Sequence, residues 1–337
     1  MKKQRYTLGK GLLTLLILVV LVLAIAIFSI NSGKMNLSLV EVLNVILGKG
    51  TDQQNLIVFQ FRMPRIVLSI LVGIGMGVSG CIMQSLLKND MASPGTLGIS
   101  SGSGLFMLIY VAVFSIKGYS SAFTLPMMSF VGGITAAVLI FLLSYRKGRN
   151  ISSTGLILTG VAMSSGYGAL SLMLTLKLDR TQFEFAQRWQ AGDLWGADWK
   201  YIAVLLPWTL ILFFYALYKS RMLNIFNVGN QTATGLGVRV KKEFLGLSLA
   251  AVALSSGSVA LGGNFFFVGM ISPHLARKLV GPNHKLLIPA SALIGSLVVL
   301  VADTITRTVS LGANIPTGII ITVLSTPYFL YLLAKSN

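Results

Sequence analysis

Acidic residues are the scarcest chemistry in this chain: nine Asp and Glu stand against 27 Lys and Arg in 337 residues. There is one cysteine, Cys81, and there are two histidines, His274 and His284. A lone cysteine excludes an intrachain disulfide and a cysteine metal site, and Cys81, inside an apolar run, reads as a small core residue. Two histidines without a carboxylate cluster fall short of the ligand set a metal needs, and they leave no Ser, His and Asp constellation for hydrolysis. No G-x-x-x-x-G-K-[ST] loop occurs, so the chain is not itself the ATP-hydrolysing part of a pump. Only Asp303 among the acids lies well within an apolar run. Arg307 follows it by four residues, which predicts an i, i+4 ion pair rather than a proton or cation relay.

Charge of either sign is thin as well. Charged residues make up 11% of the chain, against roughly 25% in a soluble domain. Hydrophobic residues make up 54% and the mean hydropathy is +0.80. Apolar runs near the roughly 20 residues that cross a bilayer recur from Leu12 to Leu333. They predict an all-α polytopic membrane protein, one transmembrane domain over 1–337, with helices at about 12–30, 64–87, 97–116, 124–145, 152–175, 199–218, 243–262, 265–280, 286–306 and 314–333. Gly262 and Gly263 mark the break between the seventh and the eighth. The run from Leu12 to Ile30 is too long for a signal peptide, and no small-x-small cleavage site follows it, so it is expected to stay as the first helix.

The net charge of +18 raises nucleic acid as a partner, but the placement of the basic residues removes it. They sit in short segments between apolar runs, as orientation by the positive-inside rule requires. Lys2, Lys3, Arg5, Lys10, Lys88, Arg146 to Arg149, Lys219, Arg221, Arg239 to Lys242, Arg277, Lys278, Lys285 and Lys335 fall on one side. That larger share predicts both termini inside. Among the polar stretches, 219–242 is basic at both ends, yet Leu223 to Val238 carries no charge. Such a segment suits docking onto a protein, because interface centres are depleted of charge.

Gly75-Met76-Gly77-Val78-Ser79-Gly80 has the spacing of a dinucleotide fingerprint, but that spacing has meaning only between a strand and a helix. Inside a membrane helix it reads as packing, as does the Gly73 and Gly77 pair, where small residues let backbones approach. Arg62-Met63-Pro64-Arg65 opens the second predicted helix, with Pro64 in the first turn, where its missing N–H costs nothing. Two readings of the arginines stand side by side: interfacial snorkelling, and docking of a partner's carboxylates on the guanidinium fork.

Several spaced stretches together resemble the FecCD-type permeases of bacterial ABC importers for ferric siderophores, haem and cobalamin. They are Arg62 to Gly104 (RMPRIVLSILVGIGMGVSGCIMQSLLKNDMASPGTLGISSGSG), Gly262 to Arg307 with FFFVGMISPHLARKLVGPNHKLLIPASALIG and ADTITR, and the closing IPTGIIITVLSTPYFLYLL. The chain departs from the pattern at Asn89-Asp90-Met91-Ala92, where a Pro usually follows the Asn, and at Ser325-Thr326-Pro327, where a Gly usually precedes the Pro. The resemblance implies a permease subunit that carries a ferric siderophore or a similar iron complex through the bacterial cytoplasmic membrane. Cobalamin or haem import is the alternative within the family, and an ion-coupled secondary carrier the alternative outside it. It further implies that Arg62, Arg65 and Arg307 receive acidic residues of an extracytoplasmic substrate-binding protein or lipoprotein. Asn224, Val228, Thr232, Ala233, Leu236 and Gly237 would then form the segment coupled to an ATPase, and Ser152, Ser153 and Thr154 would sit near the cytoplasmic gate. The implied partners are two ATP-binding subunits, which hold ATP and Mg so that this chain needs no cofactor, and a second permease, identical or similar.

Overall fold

The structure, a computed structural model, describes residues 8–33, 37–114, 124–144, 153–309 and 315–336. Among them there are helices and turns but no strand. In chain order the helices are α1 (Leu8–Asn31), α2 (Leu39–Ile46), α3 (Asp52–Asn55), a π-helical turn (Leu56–Arg62), α4 (Met63–Leu87), α5 (Ile99–Phe114), α6 (Thr124–Ser144), α7 (Ser153–Thr175) and α8 (Arg180–Gln190). They continue with α9 (Trp199–Tyr218), α10 (Ser220–Val228), α11 (Asn230–Gly235), α12 (Val240–Gly262), α13 (Val268–Val280), α14 (His284–Thr308) and α15 (Thr317–Ser336).

A helix lies on each of the ten apolar runs. Seven described helices are long and apolar enough to cross a membrane: α1, the continuous rod Asp52–Leu87, α6, α7, α9, α12 and α14. The apolar stretches of α5 and α15 are shorter. With its 13 residues, α13 reaches only about 20 Å at 1.5 Å per residue, short of the roughly 30 Å hydrocarbon core. Its shortness follows from the Gly263 break, because α12 ends at Gly262 and Gly263 takes φ +73, a left-handed value costly for other residues. The second predicted helix coincides with α4, with Pro64 in its first turn, and helical backbone continues upstream of it. Pro64 cannot donate to Gln60 in an α-helical turn, and the chain widens instead to a π pattern in which the Met63 N–H reaches Val58 O.

The centre of the bundle is α4, most of whose side chains are buried. Its glycine face explains how. A Cβ on Gly73 would meet the backbone of Gly295 on α14, on Gly77 the carbonyl of Ser291 on α14, on Gly75 the Ser258 hydroxyl on α12, and on Gly80 the carbonyl of Gly269 on α13. One helix thus touches three neighbours through backbone, which in lipid is a main source of association energy. The Ser79 hydroxyl adds a bond to Ala251 O of α12 at 2.6 Å. In contrast, α1 is mostly exposed and leans on α14, where Gly11 lies against Leu286.

Gly80→Val is therefore expected to destabilise by more than the roughly 1–3 kcal/mol typical of overpacking, because backbone rather than a side-chain tip blocks the new atoms. Melting of detergent-purified protein checks this; an unchanged melting temperature would show that α4 and α13 are not held at backbone contact.

Candidate functional site

Since α4 and α14 run antiparallel, the bundle has two ends, and each gathers polar residues from distant parts of the sequence. At the first end, Asp303 of α14 is fully buried and accepts Arg65 Nε of α4 at 2.7 Å on Oδ1 and Arg307 Nε at 2.9 Å on Oδ2. The predicted i, i+4 pair is present, and Arg65, 238 residues away in sequence, completes it. Arg65 Nη2 lies 3.6 Å from Asp193 Oδ1, whose other oxygen is 3.6 Å from Arg188 Nε of α8. Arg307 Nη2 also donates to Ser29 Oγ of α1, and that oxygen accepts Thr304 Oγ1 at 2.9 Å.

Arg62 lies in the same group with an inward-turned side chain, 6% exposed, whose Nη1 donates to Ile30 O at the end of α1. Gly33 is packed against that guanidinium. Arg62, Arg65 and Arg307 are thus brought together, and three guanidiniums, those of Arg65, Arg188 and Arg307, pair with the two carboxylates of Asp193 and Asp303. The remaining positive charge points to anions as the natural visitors to this end. Above it, the Ser38 backbone N–H and hydroxyl hold the Glu41 carboxyl below its ordinary range in a capping box at the start of α2.

At the opposite end lies the charge-free segment, folded as α10 and α11 with Gly229 between them at φ +123. Leu223, Phe226 and Ala233 face inward, while Val228 and Leu236 are 67% and 66% exposed, and Thr232 and Gly237 are exposed too. The segment is tied to the bundle at both flanks. Lys219 bonds Glu243 of α12 at 2.8 Å, and this bond holds the Lys219 ammonium above its ordinary range. Asn224 Oδ1 accepts both the backbone N–H of His284 at 3.0 Å and His284 Nδ1 at 2.7 Å, while Asn224 Nδ2 donates to Asn283 Oδ1 at 3.2 Å.

These bonds put the imidazole hydrogen on Nδ1 and leave Nε2 to accept the Ser85 hydroxyl of α4 at 2.5 Å. His284, left without a role by the sequence, is the fully buried joint between α10, α14 and α4. Nearby, Asp90, the residue that departs from the family pattern, pairs with Arg277 of α13.

Between the two ends runs a groove along α5 and α7. One cavity of about 530 Å³ is lined by Asn89, Thr96, Ser164 and Phe266 among others. A second of about 330 Å³ is lined by Ser171, Thr175, Gln187 and Gln190 among others. Ser100, Ser101 and Asn264 border both, and among the described residues no charged side chain lines either. Ser164 donates to Gly160 O at 2.9 Å, Ser165 to Val161 O at 3.2 Å and Thr175 to Ser171 O at 2.7 Å. The donors of these three hydroxyls are spent within the helix, while the amides of Asn89, Gln187, Gln190 and Asn264 add neutral donors and acceptors to the wall. Ser100 Oγ is buried and makes no hydrogen bond among the described residues. A signal for this groove was present in the sequence, because Ser164, Gly168, Ser171 and Thr175 form one helical stripe. Of the three expected gate residues, Thr154 is exposed on the first turn of α7, Ser153 begins that helix, and Ser152 lies outside the described residues.

Residues 18–335 match the FecCD transport family. The chain belongs to that family. Within it, the chain is 43% identical over 333 residues to the iron(3+)-hydroxamate import system permease protein FhuG of Bacillus subtilis, covering 98% of each. It is 34% identical to the hemin transport system permease protein HmuU of Yersinia pestis, covering 99% of this chain and 96% of that one. Its fold superposes with a TM-score of 0.81, at 28% identity, on a metal-chelate type ABC transporter in an inward-facing conformation, covering 95% of this chain and 98% of that one. With family and helices together, this FecCD chain is a multi-pass membrane protein of transport.

Two outcomes follow for this FecCD chain. Asp303→Asn leaves Arg65 and Arg307 facing an uncharged amide and is expected to cost about 3–5 kcal/mol. Asp193→Asn, at a half-buried and looser site, should cost clearly less; equal melting shifts for the two would refute the central place of Asp303. Asn224→Ala and His284→Ala should be non-additive, with a coupling of about 0.5–3 kcal/mol in a double-mutant melting cycle. Strict additivity would show that the Asn224 and His284 contact carries no energy.

Proposed function

We propose that this chain is the membrane-spanning permease subunit of an ATP-binding-cassette importer that carries a ferric chelate, of the hydroxamate class, into a bacterial cell. The observation that carries the reading is the uncharged groove that runs along α5 and α7 between an arginine-rich end and a charge-free segment. A translocation wall must let its cargo leave, and neutral hydroxyls and amides hold a ligand less firmly than charged groups do. Each hydroxamate is a monoanion, so three of them neutralise Fe(III). A net-neutral complex loses little by entering a groove that has no counter-charge, whereas a polyanionic complex would lose its hydration without compensation. The relative that imports iron hydroxamate favours the same class.

In this reading the arginine end faces outward and Arg62, Arg65 and Arg307 receive acidic side chains of a substrate-binding protein or lipoprotein. Arrival of such carboxylates would compete with Asp193 and Asp303 for the same guanidiniums. The α10 and α11 segment faces the cytoplasm and docks on one of two ATPase subunits, where Val228 and Leu236 offer exposed apolar contacts. Asn224 and His284 then pass its displacement to α14 and α4. ATP and Mg belong to the ATPase. The nucleotide moves the permease only to the extent that it favours one arrangement of the pair. A second permease, identical or similar, closes the open side of the groove and lies with this chain in the cytoplasmic membrane, both termini inside.

Proteoliposomes holding the permease with its ATPase and binding protein are expected to take up radio-iron hydroxamate only with ATP, and to favour it over a ferric tris-catecholate. Arg62→Gln, which leaves the Arg65 and Asp303 pair intact, should weaken uptake and binding-protein affinity while leaving basal ATP hydrolysis. Uptake that persists without ATP and follows a proton gradient would overturn the proposal in favour of an ion-coupled carrier.

A further inference from the structure

A third cavity lies outside the groove and at the other side of α5. It holds about 220 Å³ and is walled by Met83, Leu86 and Leu87 of α4, by α6 from Ile134 to Leu142, and by Phe244 to Val252 of α12. Leu97, Ile99 and Leu156 complete the wall, and Ser248 supplies the one hydroxyl. Val138, Leu142, Leu245 and Leu249 line it and are also exposed at the surface of the bundle, so it opens sideways between α6 and α12. An apolar cavity of about 150 Å³ inside a soluble protein stays dry and accepts a benzene. This larger one faces hydrocarbon, where an acyl chain is the solvent.

The rim of the cavity is basic. On α12 the lining residues Phe244, Leu245, Ser248, Leu249 and Val252 form one helical stripe, and Lys241 continues the stripe one turn below. Helical side chains lean toward the N-terminus, which carries the exposed Lys241 ammonium away from the apolar wall toward the end of the bundle. Lys242 is exposed beside it, and exposed Lys88 caps α4 directly after the lining residue Leu87. An apolar cleft that opens to the bilayer core under lysines at the headgroup level has the two halves of a phospholipid site: a chain slot and an anion rim.

We propose that this cleft binds one anionic phospholipid, with an acyl chain between α6 and α12 and its phosphate on Lys241, aided by Lys242 and Lys88. The site rests on membrane embedding alone and stands independently of the transport reading. A lipid there would brace α12 against α6 one turn above the Lys219 and Glu243 bond that anchors the α10 segment.

The test is native mass spectrometry of the detergent-purified full chain titrated with phosphatidylglycerol and, separately, phosphatidylcholine of the same chains. The wild type should retain one phosphatidylglycerol at concentrations where phosphatidylcholine is lost. Lys241→Gln and Lys242→Gln should each weaken phosphatidylglycerol retention about fivefold and leave phosphatidylcholine unchanged. Ala137→Phe, which fills the cleft from α6, should abolish retention of both in protein that remains monodisperse. Equal retention of the two lipids by the wild type, or of phosphatidylglycerol by the lysine variants, overturns the anionic rim. Undiminished retention by Ala137→Phe overturns the cleft as the place of binding.

Discussion

The contact on which the rest of this structure depends is backbone against backbone along the glycine face of α4. Lipid tails are as apolar as leucine, so helices in a bilayer gain little from merely hiding side chains. They gain from close approach, and Gly73, Gly77 and Gly80 allow α14 and α13 to approach as near as main-chain atoms permit. Once α4 is fixed by three neighbours, both of its ends become fixed reference points. Arg65 is then presented to Asp303 at one end and Ser85 to His284 at the other.

The two ends use opposite electrostatic means. The arginine end keeps one carboxylate fully buried and surrounds it with guanidiniums, an arrangement stable only while every partner is in place. The histidine end uses neutral donors and acceptors in a chain from Asn224 to Ser85, which holds a segment without trapping charge. Between them the groove is lined, among the described residues, by neutral side chains alone. That division suits a conduit, since strong interactions are confined to the two ends and the wall that a cargo would pass is left weakly polar.

The apolar runs gave the helix positions directly, because a 3.6-residue helix in hydrocarbon must satisfy all its backbone bonds internally. The Asp303 and Arg307 pair was legible too, since i, i+4 spacing is local. Arg65 as the second partner of Asp303 was not, because pattern cannot show which residues 238 apart will meet. The same holds for His284, which a sequence reading leaves idle and tertiary packing turns into a joint. The start of α4 was legible from Pro64 in its first turn, but the helical backbone before it was not, because a π-helical turn absorbs the missing N–H and lets the rod extend back to Asp52. The absence of charge from 223 to 238 marked the segment, while its division into two short helices depends on the left-handed Gly229.

The thin packing of α7 has a consequence for how such a chain diversifies. This helix leans mainly on α5 and α6, and a Cβ at Gly166 or Gly168 would meet nothing within 4 Å. Larger side chains could appear there one substitution at a time, and at Gly168, which lines the groove, they would reshape it while the glycine face of α4 stays untouched. The shape of the groove and the packing of the bundle thereby rest on separate helices, so that descendants of this architecture can change one without loosening the other.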